Sequence, residues 1–147
     1  MKELDEIIYD ALKADNGITA LVGDRIKSTC FEVPPTEDDN TPRPYIVITD
    51  DSFSNNNETK DDVWEGPTDR VQASVDIVAD SPAEVKELRR MIRRAISRHI
   101  VGLEYDQRPE LVSLTNDGIK WDWDCPCYYD YLHYQCDVTI QDDEQES

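Results

Sequence analysis

The sequence predicts a single α+β domain in which two main helices pack on one face of a mixed or mostly antiparallel sheet. Three observations carry that expectation. Residues 71–79 alternate, with Val71, Ala73, Val75, Ile77 and Ala79 on one side and Gln72, Ser74 and Asp76 on the other, the period of a half-buried strand. This strand runs directly into residues 82–101, where Val85, Leu88, Ile92, Ala95, Ile96 and Ile100 recur at helical spacing. A second apolar stripe, Leu4, Ile7, Ile8, Ala11 and Leu12, predicts a helix over about 3–14.

The remaining elements follow in chain order. Asn16-Gly17 is expected to stop the first helix, because both residues tolerate a left-handed backbone. Ile18, Leu21 and Val22 then give a short helical turn closed by Gly23. Residues 25–33 have a weak strand pattern that Pro34-Pro35 ends, since proline cannot donate to a ladder. Residues 36–44 read as an acidic loop, and Tyr45-Ile46-Val47-Ile48-Thr49 as a strand buried on both faces. Residues 50–69 are almost wholly polar and read as an exposed arm or long hairpin tip, with Trp64 in a costly position unless something covers it.

The long helix carries its own start and stop signals. Ser81 and Glu84 match a capping box, Pro82 stands at the first helical position, and Gly102 is placed to cap the end. Beyond it, residues 111–115, 119–123 and 132–140 alternate as strands, with Asn116-Asp117-Gly118 as a hairpin turn. The expected organisation is one domain over residues 1–141 and an acidic disordered tail over 142–147.

Charge narrows the function classes. Thirty-three acidic against fifteen basic residues in 147 give a net charge of −18, which argues against nucleic-acid binding as the main task. No run of about 18 apolar residues offers a membrane span. Met1-Lys2-Glu3-Leu4-Asp5-Glu6 lacks a signal-peptide core, so the chain is expected to stay in the cytoplasm where it is made. Cys30, Cys125, Cys127 and Cys136 are then expected to be reduced.

Sharper chemical readings each meet a plainer one. Cys125, Cys127, His133 and Cys136 suffice in number for zinc, but the C-x-C spacing is poor and alternation sends His133 and Cys136 to opposite faces. A cysteine nucleophile would need His99 or His133 as its base, yet His99 lies beside the apolar helix stripe and His133 faces outward on a strand. Lys86, Arg89, Arg90, Arg93, Arg94 and Arg98 form the basic patch of the chain, and local acids explain it more simply than DNA does. Trp121, Trp123, Tyr128, Tyr129, Tyr131 and Tyr134 serve cross-strand packing or a subunit contact equally well. No catalytic, cofactor or metal residue is therefore assigned.

Three stretches resemble the tail-completion (tail-terminator) family of long-tailed bacteriophages. They are Ile8 to Ile26, ending Ala20-Leu21-Val22-Gly23-Asp24-Arg25-Ile26; Arg43-Pro44-Tyr45-Ile46-Val47; and Asp69-Arg70-Val71-Gln72 through Ala79 with the helix that follows. Their order and spacing match over about two-thirds of the chain. The resemblance implies a phage or prophage structural protein with no enzymatic activity and no cofactor. It implies a self-associated ring, generally a hexamer, at the head-proximal end of the tail tube, with the tube protein and head-neck connector proteins as partners. It also implies assembly in the host cytoplasm and residence at the head–tail junction of the virion. The strong acidity, the longer 50–69 arm and the cysteine- and aromatic-rich end depart from the family pattern. A different neck or connector component is the nearest alternative, and a thiol- or zinc-dependent enzyme or small-ligand binder the more distant one. For a ring, the candidate subunit interface is Arg89, Arg93 and Arg94 of the helix against Asp61, Asp62 or Glu65 of a neighbour's arm, with Trp64 of that arm among the interface residues.

Overall fold

A computed structural model of the chain describes residues 3–28, 42–55, 68–124 and 126–139. Helices α1 (Leu4–Ala14) and α2 (Asn16–Val22) lead to strand β1 (Ile26–Ser28) and then to β2 (Tyr45–Asn55) and β3 (Thr68–Ala79). Helix α3 (Pro82–Val101) follows, then a 3-10 turn at Tyr105–Gln107 and strands β4 (Glu110–Asn116), β5 (Lys120–Asp122) and β6 (Cys127–Thr139). The strands form one mixed sheet in the order β1-β2-β3-β6-β4, with β5 also on β6. Among the described residues only β1 and β2 run parallel; the other pairs are antiparallel. Both long helices lie on one side of this sheet and touch each other, α1 over β1, β2 and β3, α3 over β3 and β6. The α+β architecture is the one the sequence predicts.

The core is the layer between helices and sheet. Ile46 and Ile48 of β2, Ala73, Val75, Ile77 and Ala79 of β3, and Leu132, Tyr134 and Cys136 of β6 meet Ile8 and Leu12 of α1 and Val85, Leu88, Ile92 and Ile96 of α3. The small side chains of Ala73 and Ala79 let the helices approach the central strand closely. Val47 is buried on the opposite, helix-free face, while Tyr45 and Thr49 there are half-buried, so β2 is covered more fully on its helix side.

Helix α3 begins as its sequence predicts: Ser81 accepts a hydrogen bond from the Glu84 amide at 3.2 Å, and Pro82 occupies the first turn. Gly102 caps the other end in a right-handed conformation, its N–H shared among the carbonyls of Arg98, His99 and Ile100. The break between α1 and α2 has a different cause from the one expected. Asp15, with φ −90° and ψ 113°, ends α1 and caps α2 by accepting from the Ile18 amide at 3.0 Å. Asn16 and Gly17 fall inside α2, and neither has a positive φ. Gly17 serves close approach instead, since a Cβ there would lie 2.7 Å from Cε of Met91 on α3.

Three strands differ from the sequence expectation. Residues 50–55 and 68–69, mostly polar and expected in the exposed arm, continue the β2–β3 ladder to the pair Asn55↔Asp69 past a register shift between Asp50 and Ser52. Ladder hydrogen bonds there override weak strand propensity. Asn116-Asp117-Gly118 does not join a hairpin: β4 and β5 lie in line along the same edge of β6, and the chain reverses between Asp122 and Cys127. Gly118, at φ +87°, supplies the left-handed residue for the interruption between them. Strand β6 starts five residues before the expected 132. Residues 56–67, Cys30, Cys125 and the 142–147 tail lie outside the described residues.

The early start of β6 puts a carboxylate in the core. Asp130 pairs with Ile77 of β3 on the helix-facing side and is fully buried. It accepts from Nη1 of Arg89 at 2.7 Å, from the Asn116 side-chain amide at 3.0 Å and from the Tyr131 backbone N–H at 2.8 Å. Three donors, from α3, β4 and β6, thus converge on one charge, and α3 is pinned in rotation by Arg89.

Three stability outcomes follow from this packing. Ser81→Ala, removing the α3 cap, is expected to lower unfolding free energy by about 1 kcal/mol in urea denaturation. Arg89→Met, leaving Asp130 buried without its cation, is expected to cost about 3 kcal/mol, at the low end because Arg89 is 26% exposed, and Asp130→Asn in that background should recover part of the loss. Burial pushes the Cys136 thiol up to about 12 and also raises the Tyr134 hydroxyl, whose oxygen is buried with no hydrogen-bond partner. Both groups stay neutral in the fold while the unfolded chain ionises, so stability is complete below about pH 9 and falls as pH rises toward 12. Denaturation midpoints measured across that range should decline less steeply in Cys136→Ala.

A basic groove as the candidate functional site

Fixing Arg89 toward the sheet decides where the rest of α3 points. Residues three and four apart share a helix face, so Lys86, Arg90, Arg93, Arg94 and Ser97 flank Arg89 along the side nearer β4. Beneath that overhang lies β4, the edge strand of the sheet. Its register with β6 shifts between Leu111 and Ser113, leaving Val112 as a bulge. Without a bulge, residues three apart on a strand face opposite ways. With it, Leu111 stands opposite Cys136 and Leu114 opposite Tyr134, both core-facing positions of β6. The result is an open groove of about 560 Å³ walled by the α3 cations and floored by two leucines.

The groove is electrostatically exceptional in this chain. Five of its eight lining residues are cations in a protein of net charge −18. Arg89 is committed to Asp130, and Arg90 pairs with Glu87 at 2.7 Å on the outer surface, where screening leaves such a bond weak. Arg93 and Arg94 project exposed at the rim, and the Arg93 charge is near enough to the Tyr134 hydroxyl beneath it to oppose part of that group's upward shift. Leu111 is 52% exposed and Val112 is exposed beside it. An apolar floor under a cationic rim binds acidic segments that also carry apolar side chains.

Of the residues singled out from sequence, Arg89, Arg93 and Arg94 converge on this groove, whereas Asp61, Asp62, Trp64 and Glu65 lie outside the described residues. Sequence reasoning missed Leu111, Leu114 and Asp130 as parts of one unit. Asp130 had a signal: the alternation Leu132, Tyr134, Cys136, carried back two residues, puts it on the buried face. The bulge at Val112 had none.

Other clusters are chemically plainer. On the helix-free face, β6 stacks Tyr129, Tyr131 and His133 with ring separations of 5.5 and 5.7 Å. Ser74 lies directly across from His133, Oγ to Nδ1 at 3.1 Å, and Asp117 approaches Nε2 at 3.7 Å. The trio has the composition of a hydrolytic triad but not its setting. Ser74 is buried in the middle of β3, laddered on both sides, so no row of backbone N–H groups faces its oxygen as an oxyanion hole. It is a cross-strand bond. Cys127 and Cys136 are buried free thiols. Among the described residues, the metal-ligating side chains that gather within 4.8 Å are Glu3, Asp5 and Asp50, three carboxylates of which Glu3 and Asp50 are exposed. Trp121 meets Tyr128 edge-on at 4.7 Å near the β5–β6 reversal, and Trp123 beside it is 84% exposed. No helix among the described residues is long and apolar enough to cross a membrane.

Known proteins share this architecture. A chain from the virion of a native gene transfer agent particle superposes with a TM-score of 0.58 at 19% identity, over 93% of this chain and 95% of that one, a likeness of fold. No curated protein matches. The segments that resemble tail-completion proteins are neighbours in space: Ile26 of β1 pairs with Ile46 of β2, β2 pairs with β3, and Arg25 donates to the carbonyls of Pro44 and Leu21. The family model described as tail completion protein gp17 matches residues 6–121, taking in α1 to β4 and the groove, and the chain belongs to that family.

Proposed function

We propose that this protein closes the head-proximal end of a phage or prophage tail tube as a homo-oligomeric ring, a hexamer, ending tube growth and joining tail to head. Family membership across residues 6–121 carries the reading. The likeness to a chain of a gene transfer agent virion supports a structural, non-enzymatic role in a virion. Its partners are other copies of itself, the tail tube protein and the head-neck connector proteins; it is made in the host cytoplasm and resides at the head–tail junction.

The site supports a ring on physical grounds. A ring closed by head-to-tail contacts needs two different, complementary patches on every subunit. The α3–β4 groove, with Arg89, Arg93 and Arg94, is one such patch, and its charge is opposite to that of the chain as a whole. Asp61, Asp62, Trp64 and Glu65 are one candidate for the complementary one.

Light scattering of the purified protein across concentration, with and without Mg²⁺, tests the reading. The expected result is a species near six times 16.9 kDa that electron microscopy resolves as a ring. A strict monomer that also fails to bind the ends of isolated tail tubes would overturn it.

A further inference from the structure

We infer that the α3–β4 groove receives the β5–β6 hairpin tip, Trp121 to Asp124, of a second copy of this chain. The inference rests on the ring reading and names the two surfaces that meet where subunits join.

The tip is an interaction surface already built. Trp123 is 84% exposed, and its ring meets that of Trp121 edge-on with centroids 5.8 Å apart. Single apolar residues at a surface are ordinary, but two packed indoles at the end of a sheet edge form a contiguous patch of the kind that marks a contact. The patch is held from below. Trp121 stands across the ladder from Tyr128 and meets its ring at 4.7 Å, and Tyr128 packs against the core. The Asp122 carboxylate accepts from the Asp124 backbone N–H at 2.9 Å and fixes the turn in which Trp123 sits. An ordered patch loses little conformational freedom on binding, so more of its apolar area converts to affinity than a loose segment's would.

The groove supplies what this patch needs. Its floor of Leu111 and Leu114 suits the indoles, guanidinium groups at its rim are attracted to aromatic ring faces, and the exposed Asp124 adds opposite charge. Tryptophan and arginine are enriched among the residues that dominate binding energy, and each surface holds one of the two. Lys120, the cation next to the patch, pairs with Tyr129 and so stands on the helix-free side of the ladder, opposite to Trp121.

The tip is kept out of its own groove. Pairs from Lys120↔Tyr129 to Asp122↔Cys127 fix β5 on β6, and neither tryptophan lines the groove. Trp121 stands opposite Tyr128 and Leu114 opposite Tyr134, roughly 20 Å apart along β6 at the usual rise of a strand. Closing that distance within one chain would strip β5 from β6. Tip and groove are therefore two different patches on one sheet edge, as a head-to-tail contact requires.

Two variants and their mixture test the contact. Trp123→Ala is expected to weaken the self-association seen by light scattering by roughly thirty-fold, the scale of an aromatic anchor, and Arg93→Glu/Arg94→Glu to abolish it, with circular dichroism unchanged in both. Arg89 is left intact because it holds Asp130 inside the fold. The first variant keeps its groove and the second keeps its tip. Mixing them should therefore give one-to-one dimers near twice 16.9 kDa and nothing larger. A benzophenone amino acid in place of Trp123 in the otherwise native chain gives a second readout, which holds even if a groove variant fails to fold. Irradiated in a mixture of isotope-labelled and unlabelled subunits, it should crosslink to residues 86–97 or 111–114 of a different chain. Rings that survive Trp123→Ala but disperse in Trp64→Ala would give the groove to the 61–65 segment instead. That result, variants that stay apart on mixing, or crosslinks to any other surface would overturn the contact and leave the ring reading standing. A wild-type chain that never self-associates, alone or on tubes, would strike both.

Discussion

One buried charge governs the arrangement of the rest. Asp130 stands on the helix-facing side of β6 with no solvent exposure, in a row otherwise made of Tyr128, Leu132, Tyr134 and Cys136. A carboxylate there is tolerable only with its full set of donors, and Arg89, Asn116 and the Tyr131 amide provide them. Such a pair adds little net stability over an apolar replacement, because desolvation consumes most of the Coulombic gain. What it gives is orientation. A helix packed through Leu88, Ile92 and Ile96 alone has some freedom to roll; one tied through Arg89 to a fixed point on β6 has much less.

That orientation propagates outward. With Arg89 turned inward, Arg93 one turn later stands over the same edge, and Arg90 and Arg94 stand beside it at the rim. Asn116, the last residue of β4, bonds to the same carboxylate, so the edge strand is registered to the helix through Asp130. The bulge at Val112 then turns Leu111 to the side already occupied by Leu114. A core interaction and a strand irregularity together shape a surface groove. Its precision comes from elements buried well beneath it.

The helix α3 and the strand β3 were legible because each is specified several times over. Ser81, Glu84, Pro82 and an apolar stripe all mark the helix, and strict alternation marks the strand. Leu4–Ala14 was legible from its stripe, although the break after it was assigned to Asn16-Gly17 when the local hydrogen bonding of Asp15 makes it. The extents of β2 and β6 were not legible, because their outer residues are polar and are held by partners far away in sequence. Asp117-Gly118 carried a true turn signal with the wrong consequence: composition reports a left-handed residue, but only the register on β6 reveals whether it joins two paired strands or interrupts one. Half of the candidate site, Arg89, Arg93 and Arg94, was visible as a charge cluster. The leucine floor required the bulge, which no local pattern announces.

The ring proposed for this chain of net charge −18 would face its own repulsion. Exposed ion pairs contribute at most about 1 kcal/mol each and are screened beyond roughly 8 Å in physiological salt, so arginines alone cannot hold such copies together. They can set register, favour the approach that brings unlike patches face to face, and penalise every approach that brings like charges together. Affinity has to come from apolar surface, which the domain largely spends inside. The exposed exceptions include Leu111 and Val112, on the one edge of the sheet that also carries the cationic rim. Charge for steering and apolar surface for adhesion therefore coincide at the α3–β4 edge of an otherwise acidic protein.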